Sequence, residues 1–428
     1  MNTFWRRLFA PEVIFTASAV AALSPYVLWY WGYKLPVVAH LQITYIPAIL
    51  WGCGLLSFLV GCRLARKKRV SPLPFKLRQK NIPVTLLLCF GVVLVVVQAY
   101  LAIRDVYGAF PLMEYLSGVG NLDVGIANDQ QQYSASGQFG LLTASLYALN
   151  SLFLIFIIER ITRGRGSRVV LALAFVVTTI THLLNAKRGG LYSALFYLLV
   201  GLSLYFGDPV RALSALFPWR SRIVTKSILL GLAVALVFAF GYLASVRTRG
   251  RVEASPSEII AYLEYPLANM EEQCVAAGFG PGDFRILSPF KYLTPFKDGD
   301  LVEAFALTNP RLVRDSPSGI YELIHWCWGM PGVILFSMVL GFMSRWLYER
   351  TLQSLTCLLS YCYFAVALAF AHTANQFLIH VYVPVPILFV CALRLLLSTE
   401  RTRVSAIREG LAPGPAMPGV AKFAGGAG

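Results

Sequence analysis

The chain of 428 residues is basic and strongly apolar, with a formal net charge of +16 at pH 7 and 57% hydrophobic residues. Charged residues make up only 14% of it, well below their share in an average soluble domain. This composition excludes an ordinary soluble protein and predicts an integral membrane protein. A membrane β-barrel is also excluded, because a barrel shows short alternating segments and the apolar runs here are continuous.

Ten apolar runs approach or reach the length of about 20 helical residues that a bilayer core of roughly 30 Å requires. In chain order they cover residues 11–31, 41–62, 83–103, 141–158, 169–184, 191–206, 227–246, 328–347, 352–371 and 377–397. The runs at 169–184 and 191–206 are the shortest. The predicted fold is therefore an all-α polytopic membrane protein of about ten helices.

The distribution of basic residues predicts the orientation of these helices. Residues 1–12, 63–80, 159–168, 208–226, 345–350 and 394–428 hold 25 basic and 6 acidic residues, against 12 basic and 15 acidic elsewhere. Lys and Arg concentrate in cytoplasmic loops, so both termini are predicted to be cytoplasmic. Because the basic residues are spread over every cytoplasmic turn and not gathered on one face, no nucleic-acid partner is predicted.

The predicted integral membrane domain covers residues 1–409 and includes two long external loops, 104–139 and 247–327. A Gly-, Ala- and Pro-rich tail at 410–428 is predicted to be a disordered cytoplasmic segment. Within the second loop, Ser255, Pro256 and Glu258 have the pattern of a helix start. The short helix that follows is predicted either to lie along the bilayer surface or to cover the bundle.

A second helix is predicted at the end of this loop, starting after Ser316 and Pro317 and running through Trp328. Gly329 then breaks it before the eighth membrane helix. Glu322 and His325 stand three residues apart on one face of it. Such a pair can orient a proton-transfer group. It can equally be a surface ion pair, and both interpretations stay open.

Five basic residues break the charge pattern at outer helix ends. Lys187 and Arg188 lie in the short outward turn N-A-K-R-G-G, and Arg247, Arg249 and Arg251 follow the seventh predicted helix. They either extend to lipid phosphates or hold an anionic ligand at the membrane surface. Arginine suits a diphosphate, because its planar guanidinium makes bidentate hydrogen bonds and stays charged.

The histidines and cysteines show no metal-ligand spacing, so no metal site is predicted. Six of the eight cysteines fall within predicted helices. Cys274 and Cys327 are predicted to face outward, as a disulfide or as two free thiols.

Three pieces of the sequence form a pattern together. They are the turn N-A-K-R-G-G leading into a helix, the late external loop that opens with spaced arginines, and D-S-P-S-G-I-Y-E-L-I-H-W-C-W-G-M-P-G-V entering a helix that contains Gly341. This pattern resembles the O-antigen polymerase (Wzy-like) family of bacterial oligosaccharide repeat-unit polymerases. The related O-antigen ligases often carry a histidine before that late helix, where this chain has Ser316 and Ser318, which favours a polymerase.

The resemblance implies a metal-independent glycosyltransferase without a cofactor, which polymerises undecaprenyl-diphosphate-linked oligosaccharide repeat units on the periplasmic face of a bacterial inner membrane. Its implied partners are the lipid-linked oligosaccharide as donor and acceptor, the lipid bilayer, a chain-length regulator and a flippase. The reaction needs cations to stabilise the departing diphosphate and a base to accept the proton of the attacking sugar hydroxyl.

The candidate base is Glu322, then Asp315, then His325. The candidate substrate- and diphosphate-binding residues are Arg188, Lys187, Arg247, Arg249, Arg251, Arg311, Arg314, His372 and Asn375. The last two lie in the short turn H-T-A-N-Q, which is predicted to face outward.

Two other membrane functions and a purely structural role as an assembly scaffold stay open. An O-antigen ligase-like transferase would share the donor and differ in the acceptor. A lipid-linked oligosaccharide flippase would show an internal repeat and ionisable residues deep inside its helices. The absence of a visible repeat in the sequence and the cluster of external arginines favour an enzyme that works on one face of the membrane.

Overall fold

The computed structural model of the chain describes residues 3–33, 44–66, 75–79, 89, 91–93, 96, 138–163, 188–216, 270–271, 319–372, 377 and 383–401. Nine helices and two strands lie in this part of the chain. They are α1 (Thr3–Leu8), α2 (Pro11–Tyr30), α3 (Ile46–Ala65), β1 (Phe75–Gln79), α4 (Gln138–Arg163), α5 (Arg188–Phe206), α6 (Pro209–Leu216), α7 (Glu322–Arg350), α8 (Leu355–Ala369), α9 (Pro384–Leu396) and β2 (Leu397–Arg401).

Three of the described helices are long and apolar enough to cross a membrane: Pro11–Tyr30, Ile46–Ala65 and the Trp328–Arg350 part of α7. They coincide with three predicted runs, and they confirm that the sequence is that of a membrane protein. Shorter apolar helices cover Tyr192–Phe206, Leu355–Ala369 and Pro384–Arg394. The predicted runs 169–184 and 227–246 fall outside the described residues, so the total of about ten helices stays a prediction.

The described part is helical apart from one pair of strands. β1 runs antiparallel to β2, with Phe75 opposite Arg401 and Gln79 opposite Leu397. The all-α prediction missed this pair, although Phe75 and Leu77 alternate with basic residues at the two-residue period of a strand. Because β1 follows α3 and β2 continues directly from α9, the pair brings the ends of these two helices to one side of the bundle.

Helices α2, α3 and α7 form the centre of the bundle. Phe15 of α2 stacks on Phe58 of antiparallel α3, with ring centroids 4.2 Å apart. Helix α7 runs parallel to α3, and the two backbones are in direct contact. A Cβ added at Gly341 would overlap the Phe58 carbonyl, and one added at Gly61 would overlap the Met338 carbonyl. Glycine lets two membrane helices approach to backbone contact.

One end of the bundle, which we call the basic end, contains an ion-pair network. The guanidinium of Arg345 lies 3.0 Å from the Glu12 carboxylate and 2.9 Å from that of Glu349. The Tyr348 hydroxyl donates to the Arg6 carbonyl at 2.7 Å. The ends of α3 and α9 add Arg63, Arg66 and Arg394. These residues belong to the segments predicted to be cytoplasmic, so the packing groups the predicted cytoplasmic charges at one end of the bundle.

The opposite end, which we call the aromatic end, carries five exposed aromatic side chains around the end of α2 and the start of α3. They are between 44% and 83% exposed: Trp29, Tyr30, Trp31, Tyr33 and Tyr45. Tryptophan and tyrosine are enriched where a membrane meets water. The 20 residues of α2 between the two ends correspond to about 30 Å of helix, the thickness of a bilayer core.

Helices α4, α5 and α8 meet at a buried cluster of hydroxyl groups. The Ser151 hydroxyl lies 3.1 Å from that of Tyr197 and 2.8 Å from that of Tyr363. The Tyr197 hydroxyl also lies 3.3 Å from the Leu359 carbonyl. Hydroxyl groups that hydrogen-bond between helices stabilise packing inside a membrane.

Candidate functional site

Helix α7 is broken at Gly329, as the sequence predicts. Gly329 has φ 62° and ψ −160°, a backbone conformation that only glycine adopts without strain. The break divides α7 into a short arm, Glu322–Trp328, and a long helix that crosses the bundle. We call the first segment the arm.

The arm folds back along the long helix. Residues 321 and 337 would lie about 24 Å apart in a straight helix. The Ser337 hydroxyl nevertheless donates to the Tyr321 hydroxyl at 2.9 Å. A Cβ added at Gly332 would overlap the Trp328 Cβ and would lie 3.5 Å from Ile324. The arm therefore packs back into the bundle. Ile324 of the arm and Tyr321, the residue just before the arm, are fully buried there.

A second stretch of non-helical backbone meets the start of the arm. Helix α8 ends at Ala369, and the turn that follows brings the Ala371 carbonyl to 2.8 Å from the Ile320 N–H, which donates to it. We call the contact between residues 319–321 and 370–372 the inner junction. We take the inner junction as the candidate functional site, because it brings the start of the arm next to the turn that carries His372.

His372 is held at the inner junction by Ser18 of α2. The His372 N–H donates to the Ser18 hydroxyl at 2.9 Å, and the Nδ1 atom lies 3.1 Å from the Ala369 carbonyl. The same Nδ1 atom lies 3.3 Å from the Ser18 hydroxyl, so its role as donor or acceptor depends on the tautomer of the ring.

Both described histidines lie outside the helices that could span a membrane. Burial lowers the pKa of His325 and of His372, and the hydrogen bond to Ala369 raises the pKa of His372 to a smaller extent. Burial disfavours the charged imidazolium. The neutral form of each ring, which can accept a proton, is therefore favoured.

The contact with Ser18 also fixes the depth of His372. Ser18 lies about 10 Å along α2 from Pro11 and about 18 Å from Tyr30. The inner junction is therefore well inside the bundle. The turn that was predicted to face outward continues into residues 373–376, which lie outside the described part, so its orientation stays a prediction.

Two segments that carry candidate site residues meet in the structure. The arm contains Glu322 and His325, and the turn after α8 contains His372. His325 is 8% exposed. Glu322 and Arg188 are the first residues of α7 and α5, and their side chains are outside the described part.

The remaining candidates lie outside the described residues: Lys187, Arg247, Arg249, Arg251, Arg311, Arg314, Asp315 and Asn375. The helix predicted after Ser255 and the pairing of Cys274 with Cys327 also fall there. Within the described part, no group of three or more His, Cys, Asp or Glu side chains could hold a metal ion. The prediction that no metal is used is untested.

Sequence reasoning missed one buried carboxylate near the aromatic end. Glu271 is 1% exposed, and its Oε1 accepts from the Tyr26 hydroxyl at 2.7 Å and from the Thr44 N–H at 2.8 Å. Its Oε2 accepts from the Thr44 hydroxyl at 2.6 Å. Nothing in the local sequence distinguishes Glu271 from a solvated acidic residue, because its partners are more than 200 positions away.

The hydroxyls of Ser18, Tyr321 and Ser337 were also missed as site groups. All three stand within or beside apolar runs, where their residue types usually serve packing. No protein-family model matches the chain, and neither curated proteins nor solved structures gave a match. The resemblance to the O-antigen polymerases thus rests on the sequence pattern.

Proposed function

We propose that the chain is a metal-independent polymerase of undecaprenyl-diphosphate-linked oligosaccharide repeat units, acting on the periplasmic face of a bacterial inner membrane. The observation that carries the proposal is the inner junction. There, the hydrogen bond from the Ile320 N–H to the Ala371 carbonyl brings together two segments that are distant in the chain. The arm carries the candidate bases Glu322 and His325, and the turn after α8 carries the candidate substrate-binding residue His372.

The proposed reaction transfers a glycan from one lipid diphosphate to another lipid-linked sugar. A hydroxyl oxygen of the acceptor sugar forms a bond to the anomeric carbon of the donor. The bond from that carbon to the diphosphate oxygen breaks, and the diphosphate leaves with the electron pair. A base accepts the hydroxyl proton, for which Glu322, Asp315 and His325 remain the candidates.

The start of α5 supports the diphosphate part of the proposal. Arg188 is the first residue of this helix, and its first turn holds no acidic residue. A cation at the positive end of a helix dipole is unfavourable by about 0.3–1 kcal/mol. A bound diphosphate would interact favourably with both the guanidinium and the helix end. Gly189 and Gly190 leave the backbone of this turn accessible to such a group.

The other candidate cations complete the proposed diphosphate site. They are Lys187, Arg247, Arg249, Arg251, Arg311 and Arg314, with His372 and Asn375 as further polar groups. Guanidinium groups that surround a leaving diphosphate stabilise the charge that develops on it in the transition state. No nucleotide is needed, because the sugar is already activated by its lipid diphosphate.

A flippase for the same lipid-linked glycan is a second candidate, and the inner junction also favours it. Transporters place helix interruptions near the middle of the membrane and bind their substrates there. The polymerase remains the first proposal because the candidate cations lie in predicted external segments, on one face of the membrane.

The experiment compares the purified wild-type chain with Arg188→Ala in proteoliposomes that contain a lipid-linked repeat unit. We expect the wild type to produce a ladder of lengthened glycans and Arg188→Ala to reduce its yield at least tenfold, since a charged hydrogen bond contributes about 1.5–3 kcal/mol. Arg394→Ala is the matched control, because this exposed arginine lies at the basic end. Equal ladders from all three proteins would refute the role of Arg188.

A further inference from the structure

Glu271 joins three distant parts of the chain at the aromatic end. Tyr26 lies in the last turns of α2, and Thr44 lies two residues before α3. Met270 and Glu271 are both buried, with exposed fractions of 2% and 1%. The carboxylate thus connects residue 271, within the predicted external loop 247–327, to both helices of the α2–α3 pair.

The hydrogen bonds satisfy the carboxylate without a basic partner among the described residues. Burying a carboxylate is costly unless its oxygens accept hydrogen bonds. Here Oε1 accepts two of them and Oε2 accepts one, all between 2.6 and 2.8 Å. The Thr44 hydroxyl in turn lies 3.3 Å from the Ile46 N–H, which donates to it. The contact therefore also connects to the first turn of α3.

We infer that Glu271 is a positioning residue that anchors the chain after Arg247, Arg249 and Arg251 to the aromatic end of α2 and α3. It acts by accepting hydrogen bonds from Tyr26 and Thr44, and not by neutralising a cation. The consequence for glycan transfer rests on the proposed function, in which these arginines bind the diphosphate. The anchor itself rests only on the contacts of Glu271.

A glutamine at this position would distinguish hydrogen bonding from charge. Its amide oxygen can accept from the Tyr26 hydroxyl and the Thr44 N–H, as Oε1 does. Its amide nitrogen can donate to the Thr44 hydroxyl oxygen once that hydroxyl turns its proton away. Glu271→Gln therefore keeps the hydrogen bonds and removes the charge, whereas Glu271→Ala removes both.

The test measures trypsin cleavage of the full-length chain in detergent, with each cleaved bond identified by mass spectrometry. We expect Glu271→Ala to raise cleavage between residues 247 and 314 about tenfold, because three hydrogen bonds to a charged group are lost. Glu271→Gln should stay within about twofold of the wild type. Tyr26→Phe and Thr44→Val, which each remove one donor, should give intermediate rates. Cleavage after Lys422 in the C-terminal tail is the internal reference.

The same variants are then assayed for glycan ladders over a range of substrate concentrations. We expect Glu271→Ala to raise KM by about tenfold with a smaller effect on kcat, and Glu271→Gln to restore both. Unchanged cleavage of Glu271→Ala would overturn the anchor. A Glu271→Gln variant as impaired as Glu271→Ala, with an unchanged melting temperature, would overturn the hydrogen-bond account. A wild type that makes no ladder refutes the polymerase alone, and the cleavage rates still decide the anchor.

Discussion

A methyl group added at Gly54 should displace Tyr321 and, with it, the arm that follows. This glycine lies in the middle of α3, directly beneath the ring of Tyr321. A Cβ added at Gly54 would overlap the Tyr321 hydroxyl and Cζ, and would lie 2.6 Å from Cε2. The ring cannot turn aside easily, because Tyr321 is fully buried, packs edge-on to Trp51 at 4.9 Å and bonds to Ser337.

The magnitude follows from two effects of opposite sign. Replacing a helical glycine by alanine stabilises a helix by roughly 0.5–1 kcal/mol. Forcing an extra carbon into a packed core costs about 1–3 kcal/mol. Displacing Tyr321 also weakens its hydrogen bond with Ser337, which contributes about 1 kcal/mol. Gly54→Ala should therefore lower the free energy of unfolding by about 1–3 kcal/mol.

The matched control is Gly52→Ala on the same helix, since a Cβ at Gly52 meets no atom within 4 Å. Melting temperatures of both purified variants are measured by intrinsic fluorescence in one detergent. We expect Gly52→Ala to melt at or slightly above the wild-type temperature and Gly54→Ala to melt several degrees below it. Equal melting temperatures for the two variants would show that Tyr321 does not occupy this position and would refute the folded-back arm.

Two further predictions concern the basic end and the inner junction. Arg345→Ala should lower the free energy of unfolding by about 2 kcal/mol or more, because it leaves the largely buried Glu349 and the partly buried Glu12 without their shared guanidinium. Arg63→Ala, at an exposed position of the same end, should change the free energy of unfolding little. Similar losses of stability in both variants would contradict the contribution of the Arg345 ion pairs. Because burial lowers the pKa of His372, the folded state binds a proton less readily than the unfolded chain, so stability should fall as the pH drops below about 6.5. His372→Gln should make the melting temperature less dependent on pH between 8 and 5, with a remaining dependence from His325. A dependence as steep as that of the wild type would refute the contribution of His372.

The described helices that could span a membrane were predictable from the sequence, because the length and apolar composition of each helix are local properties. Pro11–Tyr30 and Ile46–Ala65 are apolar stretches of 20 residues, and their boundaries differ from the predicted runs by at most five residues. The break at Gly329 was likewise predictable, because a glycine near a proline interrupts a helix. The direction of the arm, which precedes that break, was not predictable, because it depends on how Tyr321 packs against Gly54 and Ser337.

The unpredicted parts of the site depend on contacts between distant segments. The contact of His372 with Ser18 could not be predicted, because the length of α8 and the packing of its end against α2 depend on tertiary structure. Glu271 could not be separated from other acidic residues, because Tyr26 and Thr44 are far from it in the chain. Residue type and spacing identify a membrane bundle, whereas the polar groups buried in it are fixed by tertiary structure.

The measurement that tests the proposed function most directly follows one lipid-linked repeat unit in proteoliposomes that contain only the purified chain. The length of the glycan is read on a gel, and its side of the bilayer is read by its access to an added glycosidase. The account predicts a ladder of lengthened glycans. Substrate that crosses the bilayer at its original length would contradict it and would favour the flippase.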